Sequence, residues 1–218
     1  MQVINGLDGD LGIMAPPNFE TSKDGIELQL ASNHVGHFLI TRELLPILEK
    51  NQPSRVVNLS SMGHNYTYKG GVAFESINDP KHYFSWQAYG QSKLSNILFA
   101  RELQRYVDER GHNRVYVNAV HPGVVATNLF THSQFMNSVF NAILPKLATS
   151  PEDGALTQLY AATSPDIEAK PYKGQYFVPV GKLAKPSDYA LDDQLAKKLW
   201  EWTENILIEK GFPLEIQL

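Results

Sequence analysis

A tyrosine and a lysine stand four residues apart in the segment Tyr89-Gly90-Gln91-Ser92-Lys93. On a helix this spacing places both side chains next to each other on one face. A free tyrosine, with a pKa of ~10, is a poor acid–base catalyst at neutral pH, but a lysine ammonium beside it favours the phenolate and lowers that pKa. The pair therefore indicates acid–base chemistry by Tyr89, assisted by Lys93. Because the same spacing is common on helices without a catalytic role, the pair needs support from its neighbours.

Other polar residues lie where predicted strands end or predicted helices begin. Ser61 ends a strand, where its hydroxyl could hydrogen-bond a substrate oxygen. Asn33 heads a helix, where its amide could hold a water or a backbone carbonyl, and Thr127 follows another strand, where it could contact a polar ligand group. Each also has a structural interpretation: Ser61 could cap a turn, Asn33 could be a helix N-cap, and Pro122-Gly123 could form only a turn. The occurrence of all these residues in this order, at the ends of predicted elements, favours a functional site.

The elements that would position these residues follow from hydrophobic periodicity. Helical spacing of apolar residues predicts helices over 33–49, 86–109, 154–163 and 191–206. Runs of β-branched residues predict strands over 55–61, 114–120 and 174–181. Because strands alternate with helices, the pattern predicts an α/β fold with a mainly parallel sheet, which binds ligands at the carboxyl ends of its strands.

Composition narrows the class of protein. The chain has 218 residues, no cysteine and a net charge of -4, which predicts one domain over residues 1–218, no disulfide and no nucleic-acid partner. The seven histidines show no HxH or HExxH spacing, so no metal site is expected. No apolar run approaches the ~20 residues that span a bilayer, and we expect a cytoplasmic protein.

The chain resembles the short-chain dehydrogenase/reductase family, most closely the branch with retinol dehydrogenase-like and WW-domain oxidoreductase-like members. The matching segments are "GIMAPP" (12–17), "DGIELQLASNHVGHFLIT" (24–41), "RVVNLSSMGH" (55–64), "YGQSKLSNILFARELQ" (89–104) and "VNAVHPGVVATNL" (117–129). The resemblance implies a Rossmann-like, doubly wound parallel sheet with flanking helices. It also implies hydride transfer between NADP(H) or NAD(H) and a carbonyl or alcohol of an apolar small molecule.

The same resemblance implies a role for each site residue. Tyr89 would be the proton donor or acceptor at the substrate oxygen, and Lys93 would lower the pKa of Tyr89 and hold the nicotinamide ribose. Ser61 would orient the substrate oxygen, and Asn33 would anchor the water that links Lys93 to solvent.

The resemblance also implies roles for the segment that follows the predicted strand 114–120. Its first residues would contact the cofactor, and the residues after them would cover the substrate. The residues that would lie along the nicotinamide and its phosphate are Pro122, Gly123, Val125 and Thr127. Residues 128–150 resemble the variable lid of the family. The lid residues that could line an apolar pocket are Phe130, Phe135, Phe140 and Leu144.

The N-terminal residues depart from the family pattern. Gly6, Gly9 and Gly12 are spaced GxxGxxG, not in the TGxxxGxG pattern of the family's pyrophosphate-binding turn, and the prolines that follow prevent a helix from starting there. Aligned on Gly12-Ile13-Met14, the stretch instead matches the end of the family's fourth strand. We therefore expect an N-terminally truncated sheet without the first three strands and with an exposed edge.

Three functions remain open on the sequence. The chain could be a nicotinamide-dependent oxidoreductase. It could instead be a catalytically silent truncated form, or a partner subunit that forms a homo-oligomer or pairs with a full-length relative through the helices that begin near Asn33 and Tyr89. The third is a nicotinamide-independent isomerase or dehydratase that uses Ser61, Tyr89 and Lys93 for proton transfer. The intact catalytic set favours the first and third, whereas the missing phosphate-binding turn favours the second and third.

Overall fold

The residues that the structure describes form one five-stranded sheet. The computed structural model describes residues 3–5, 12–125 and 149–212. The strands are β1 (Val3–Asn5), β2 (Ser54–Leu59), β3 (Val115–Val120), β4 (Tyr176–Val178) and β5 (Lys182–Leu183). They are ordered β1-β2-β3-β4-β5, and all neighbours are parallel except the β4–β5 pair. The predicted α/β class with a mainly parallel sheet is confirmed.

Five α-helices in the described ranges accompany the sheet. The first, α1, is a continuous helical segment made of Leu28–Leu30, a π-helical turn Ala31–Val35 and Gly36–Lys50. The others are α2 (Ser85–Glu109), α3 (Pro151–Thr163), α4 (Asp166–Ala169) and α5 (Asp193–Glu209). Helix α1 begins before the predicted residue 33, because the Glu27 carboxylate accepts hydrogen bonds from the N–H groups of Gln29 and Leu30 and caps the helix there.

Alternation along the strands divides the core between two faces of the sheet. Val56 of β2 and Val117 of β3 pack with α1, α2 and α5, whereas the neighbouring Val57 and Tyr116 pack with α3 and α4. Since successive side chains of a strand point to opposite faces, helices cover both sides, and β3 is buried throughout and β2 as far as Asn58. This is the doubly wound arrangement that the resemblance implies.

Helix α5 closes the first of these faces by packing across α1 and α2. Phe38 of α1 meets the Trp200 ring at 4.9 Å between centroids, and Arg42 pairs with Glu204 at 3.1 Å. Arg42 also lies 4.8 Å above the centroid of Tyr106 on α2. The resemblance predicts that α1 and α2 pair with another subunit. Parts of both helices are instead buried against α5 of the same chain.

The start of the chain differs in detail from the sequence alignment. Strand β1 pairs with β2 at Val3–Asn5, upstream of the glycines, whereas the alignment put the end of this strand at Gly12–Met14. Val and Ile favour a pleated strand more than Gly and Asp do, which accounts for the shift. Residues 12–17 form no regular helix, as predicted. The other glycines of the motif lie outside the described residues, as do Thr127 and the lid residues 128–148.

Candidate active site

Tyr89 and Lys93 lie together on the buried part of α2. Their exposed fractions are 5% and 7%. The Lys93 Nζ atom lies 5.7 Å from the centroid of the Tyr89 ring and donates a long hydrogen bond of 3.4 Å to the carbonyl of Leu59. The helical spacing thus places the two side chains side by side, and it aims the ammonium at the end of β2.

Ser61 follows β2 and joins the same cluster. Its hydroxyl oxygen accepts a hydrogen bond from the Gly63 N–H at 3.1 Å. A Cβ atom on Gly63 would lie 3.4 Å from this oxygen and 2.9 Å from the Tyr89 ring, so the two side chains are neighbours. The neighbouring Ser60 hydroxyl donates to the carbonyl of Lys93 at 2.8 Å. Ser61 is therefore the cap of the turn Met62–Asn65, and its side chain lies beside Tyr89. Its catalytic role stays a prediction.

The electrostatics of the pair differ from the expectation. Burial raises the pKa of Tyr89, and the hydrogen bond to Ser61 opposes that rise. Burial lowers the pKa of Lys93 to about 8. The expected lowering of the Tyr89 pKa by Lys93 is therefore not found, because desolvation of the phenolate dominates. At neutral pH the phenol is protonated, and Lys93 remains largely charged.

Asn33 has a different position from the one predicted. It lies within the π-helical turn of α1, so it is not a helix N-cap. Its amide accepts a hydrogen bond from the Ile13 N–H and donates to the Ile13 carbonyl, both at 2.9 Å. It also donates to the Ser92 hydroxyl at 2.9 Å, which in turn donates to the Tyr89 carbonyl at 2.8 Å. The side chain thus ties the segment after β1 to the helix turn that carries Tyr89.

Residues that the sequence did not single out surround the Tyr89 ring. Met14 and Ala15 form a small buried cluster with it. Ala15 adopts a φ of 46°, and its N–H donates to the Gln29 side chain at 2.8 Å, which holds this strained turn in place. A Cβ atom on Gly63 would lie 2.9 Å from the Tyr89 ring. The turn after Ser61 can therefore approach this ring because residue 63 has no side chain. These residues could have been identified from the sequence, because Met14 and Ala15 belong to the matching segment "GIMAPP" and Gly63 lies two residues after Ser61.

The segment after β3 ends at the same edge of the sheet. The Ser60 N–H donates to the Val120 carbonyl at 2.7 Å, which aligns the ends of β2 and β3. Gly123 has a φ of 90°, consistent with the predicted Pro122-Gly123 turn. Val125 packs on α3 so closely that a Cβ atom on Gly154 would lie 2.5 Å from it. Pro122, Gly123 and Val125 therefore lie at the predicted edge, while Thr127 lies outside the described residues.

The described residues fit one end of a nicotinamide nucleotide. The buried ammonium of Lys93 has a single long hydrogen bond among the groups described, which leaves protons to donate to ribose hydroxyls. For the pyrophosphate end, no glycine-rich turn of the TGxxxGxG kind occurs between a strand and a helix in the described part of the chain. Among the described residues, Lys93 thus offers a donor that suits the ribose of a nicotinamide nucleotide.

A metal site and a membrane-spanning helix each have requirements with which the described ranges can be compared. Across them, His, Asp and Glu side chains form no group of three or more that could hold a metal ion. None of the helices in these ranges combines the length and the apolar character needed to cross a membrane.

Sequence comparison finds several dehydrogenases. The chain is 43% identical over 205 residues to "Short-chain dehydrogenase TIC 32 A, chloroplastic" of Brassica napus, covering 92% of this chain and 62% of the relative. It is 38% identical over 201 residues to "Retinol dehydrogenase 14" of Homo sapiens, covering 91% and 57%. The chain thus spans only about three fifths of the length of these two relatives. No family model matches.

Solved structures share the architecture. A crystal structure of a Mycobacterium paratuberculosis protein superposes with a TM-score of 0.66 at 33% identity, covering 93% of this chain and 66% of that one. The 3-ketoacyl-(acyl-carrier-protein) reductase of Brucella melitensis complexed with NADH superposes with a TM-score of 0.54 at 19% identity, covering 78% and 63%, and supports the fold alone.

A fungal relative decides the family. "Short-chain dehydrogenase/reductase drtF" of Aspergillus calidoustus is 36% identical to the chain over 219 residues, and the match covers 94% of this chain and 68% of that relative. The Ser61–Tyr89–Lys93 cluster at the carboxyl edge of a doubly wound sheet agrees with this match. The chain belongs to the short-chain dehydrogenase/reductase family.

Proposed function

We propose that the chain is the catalytic part of an oxidoreductase that transfers hydride between NADP(H) or NAD(H) and a carbonyl or alcohol of an apolar small molecule. The observation that carries the proposal is the position of the Ser61 hydroxyl beside the Tyr89 side chain, next to the buried Lys93 ammonium. A hydroxyl, a phenol and an ammonium around one point can hold a carbonyl oxygen and supply its proton.

In the direction of reduction, Ser61 and Tyr89 both hydrogen-bond the substrate carbonyl oxygen. A reduced nicotinamide, when bound, would be the source of the hydride that the carbonyl carbon accepts. Tyr89 then gives its proton to the oxygen, and the product is the alcohol. Burial keeps the phenol protonated and ready to donate, and the Lys93 ammonium stabilises the phenolate that remains. Oxidation of an alcohol uses the same groups in reverse.

Asn33 acts on this step by holding the structure around it. Its side-chain amide is committed to Ile13 and Ser92. The proposed water between Lys93 and solvent would therefore need another acceptor, such as a backbone carbonyl of α1. Pro122, Gly123, Val125 and Thr127 are proposed to lie along the nicotinamide and its phosphate.

The substrate is proposed to be apolar because apolar side chains are exposed near the cluster. Met62 follows Ser61 directly and is 54% exposed. Trp86 is 38% exposed and meets the Tyr89 ring edge-on at 6.2 Å between centroids. Such side chains gain free energy when an apolar ligand removes them from water. Residues 128–150 are proposed as the lid over this substrate.

A second candidate is a catalytically silent subunit that pairs with another chain. Ile40, Leu44 and Ile47 form an apolar stripe on the outer side of α1, and each is more than a third exposed. Burial of this stripe by a second copy or by a full-length relative would be favourable.

The cytoplasmic location stays a prediction, since one relative is named chloroplastic.

Equilibrium titration of the purified chain with NADPH and NADH tests these proposals. Binding in the micromolar range would support the oxidoreductase and contradict the silent subunit. If no binding occurs at millimolar cofactor, the oxidoreductase proposal fails for this chain. Proton exchange at the α-carbon of a ketone without cofactor, lost in Tyr89→Phe, would then favour the isomerase or dehydratase.

A further inference from the structure

His64 joins the turn that carries Ser61 to the C-terminal part of the chain through both of its ring nitrogens. The Nδ1 atom lies 2.6 Å from the carbonyl oxygen of Ser61, and the Nε2 atom lies 3.1 Å from the N–H of Ser187. The side chain is 2% exposed, and its ring packs edge-on against Tyr176 of β4 at 5.3 Å between centroids. The ring is therefore held on three sides.

These two contacts assign the protonation state of the ring. A carbonyl oxygen can only accept, so Nδ1 must carry a proton, and a backbone N–H can only donate, so Nε2 must present its lone pair. Only the neutral tautomer with the proton on Nδ1 satisfies both. The titratable groups that act on the ring are His121 and the Tyr176 phenol. Burial lowers the pKa of His121 to about 4 and raises the pKa of Tyr176 to about 12, so neither is charged at neutral pH.

The Ser61 carbonyl is a sensitive point at which to hold the turn. It also accepts a hydrogen bond from the His64 N–H at 3.1 Å, so His64 grips this carbonyl through its backbone and its side chain. The hydroxyl oxygen of the same serine accepts a hydrogen bond from the Gly63 N–H and lies beside the Tyr89 side chain. A rotation of this peptide group would move the hydroxyl away from the phenol.

We propose that His64, as its Nδ1–H tautomer, is a positioning residue that fixes the Ser61 hydroxyl on the Tyr89 phenol and anchors this turn to the segment that begins at Ser187. The catalytic half of this inference rests on the proposed oxidoreductase function. The positional half does not, because it concerns only where Ser61 is held. On the other side of the contact, Ser187 precedes the turn Asp188–Leu191, whose Tyr189 hydroxyl accepts from the Gly70 N–H at 3.0 Å. The C-terminal segment thus braces the loops around Tyr89 at two points.

Two variants separate the ring's packing from its hydrogen bonds. His64→Phe keeps an aromatic ring against Tyr176 and removes both hydrogen bonds. His64→Asn places an amide N–H near the position of Nδ1 and keeps the donor to the Ser61 carbonyl. His112→Phe is the control, since it removes a histidine that lies before β3 and contacts Glu49 and Gln52 instead.

Nitrogen NMR of the full chain gives the first readout, which needs no activity. We expect the Nδ1–H tautomer for His64, and we expect faster exchange of the Gly63 amide proton in His64→Phe but not in His64→Asn. An Nε2–H tautomer, or a Gly63 amide unchanged in His64→Phe, would overturn the proposal even if the chain proves to be inactive.

Kinetics with NADPH and decanal as the probe give the second readout. We expect His64→Phe to lower kcat by roughly ten- to a hundredfold with the KM for NADPH nearly unchanged, and His64→Asn to restore most of it. A kcat of His64→Phe equal to that of His112→Phe would contradict the positioning role. If the wild-type chain has no turnover while the NMR results hold, the proposed oxidoreductase function fails for this chain and the placement of Ser61 by His64 stands.

Discussion

Gly90 and the carbonyl oxygen of Tyr66 lie so close together that a Cβ atom on Gly90 would stand 2.0 Å from that oxygen. The same Cβ would stand 2.8 Å from the carbonyl oxygen of Gly63. Helix α2 can therefore touch the turn after Ser61 only because its residue next to Tyr89 has no side chain.

Gly90→Ala should consequently destabilise the protein, although Gly to Ala in a helix is ordinarily favourable. We expect the free energy of unfolding to fall by about 2 kcal/mol or more, since backbone atoms must move. Gly36→Ala in α1 is the matched control, because its Cβ would meet nothing closer than 3.5 Å. That variant should gain about 0.5–1 kcal/mol. Urea unfolding measures both, and equal effects of the same sign would refute the close approach.

Tyr89→Phe should abolish turnover and leave the fold intact. The ring packs against Met14 and Ala15, and phenylalanine keeps that packing while removing the proton donor. We expect kcat to fall by about 10²–10⁴-fold with little change in thermal stability. Tyr66→Phe, at a side chain 72% exposed, serves as the control. Consumption of NADPH with decanal is the measurement, and retained activity in Tyr89→Phe would contradict the assigned role.

Asn33→Ala should destabilise the protein strongly. It leaves the N–H and carbonyl of Ile13 without their partner and removes a donor from Ser92. Buried groups left without hydrogen bonds cost about 1–3 kcal/mol each, so we expect a loss of at least about 2 kcal/mol in the free energy of unfolding. Asn51→Ala removes an exposed bond to the Ile47 carbonyl and should cost less than about 0.5 kcal/mol. Comparable losses in the two variants would show that Ile13 is held by other contacts.

Stability should decrease as the pH falls below about 6.5, because buried histidines are protonated only in the unfolded chain. Burial lowers the pKa of His34 to about 3 and that of His121 to about 4, so both stay neutral in the folded state near pH 5. Each then removes about 2 kcal/mol between pH 7 and pH 5. His34→Gln should lose about 2 kcal/mol less than the wild type over this range. Urea unfolding at pH 7 and pH 5 measures the loss in the free energy of unfolding of each protein. Equal losses in the wild type and in His34→Gln would show that His34 does not contribute to the pH dependence.

Local sequence patterns predict much of the architecture, because the tertiary contacts keep the secondary structure that these patterns favour. The β-branched runs gave strands at Ser54–Leu59 and Val115–Val120, within a residue or two of the predicted bounds. The predicted helix began at residue 33, too late in the chain, because the cap of α1 is Glu27, a residue type uncommon at that position.

The sequence by itself determined the family and the set of side chains that meet, because Tyr89 and Lys93 share a helix face and Ser61 ends the neighbouring strand. Only the tertiary structure decided how they behave. Burial raises the pKa of Tyr89 where the sequence predicted a lowering, since the free energy of desolvation depends on every layer packed around the ring. Likewise, Asn33 meets Ile13 and His64 meets Ser187, partners 20 and 123 residues apart, which no local pattern can reveal.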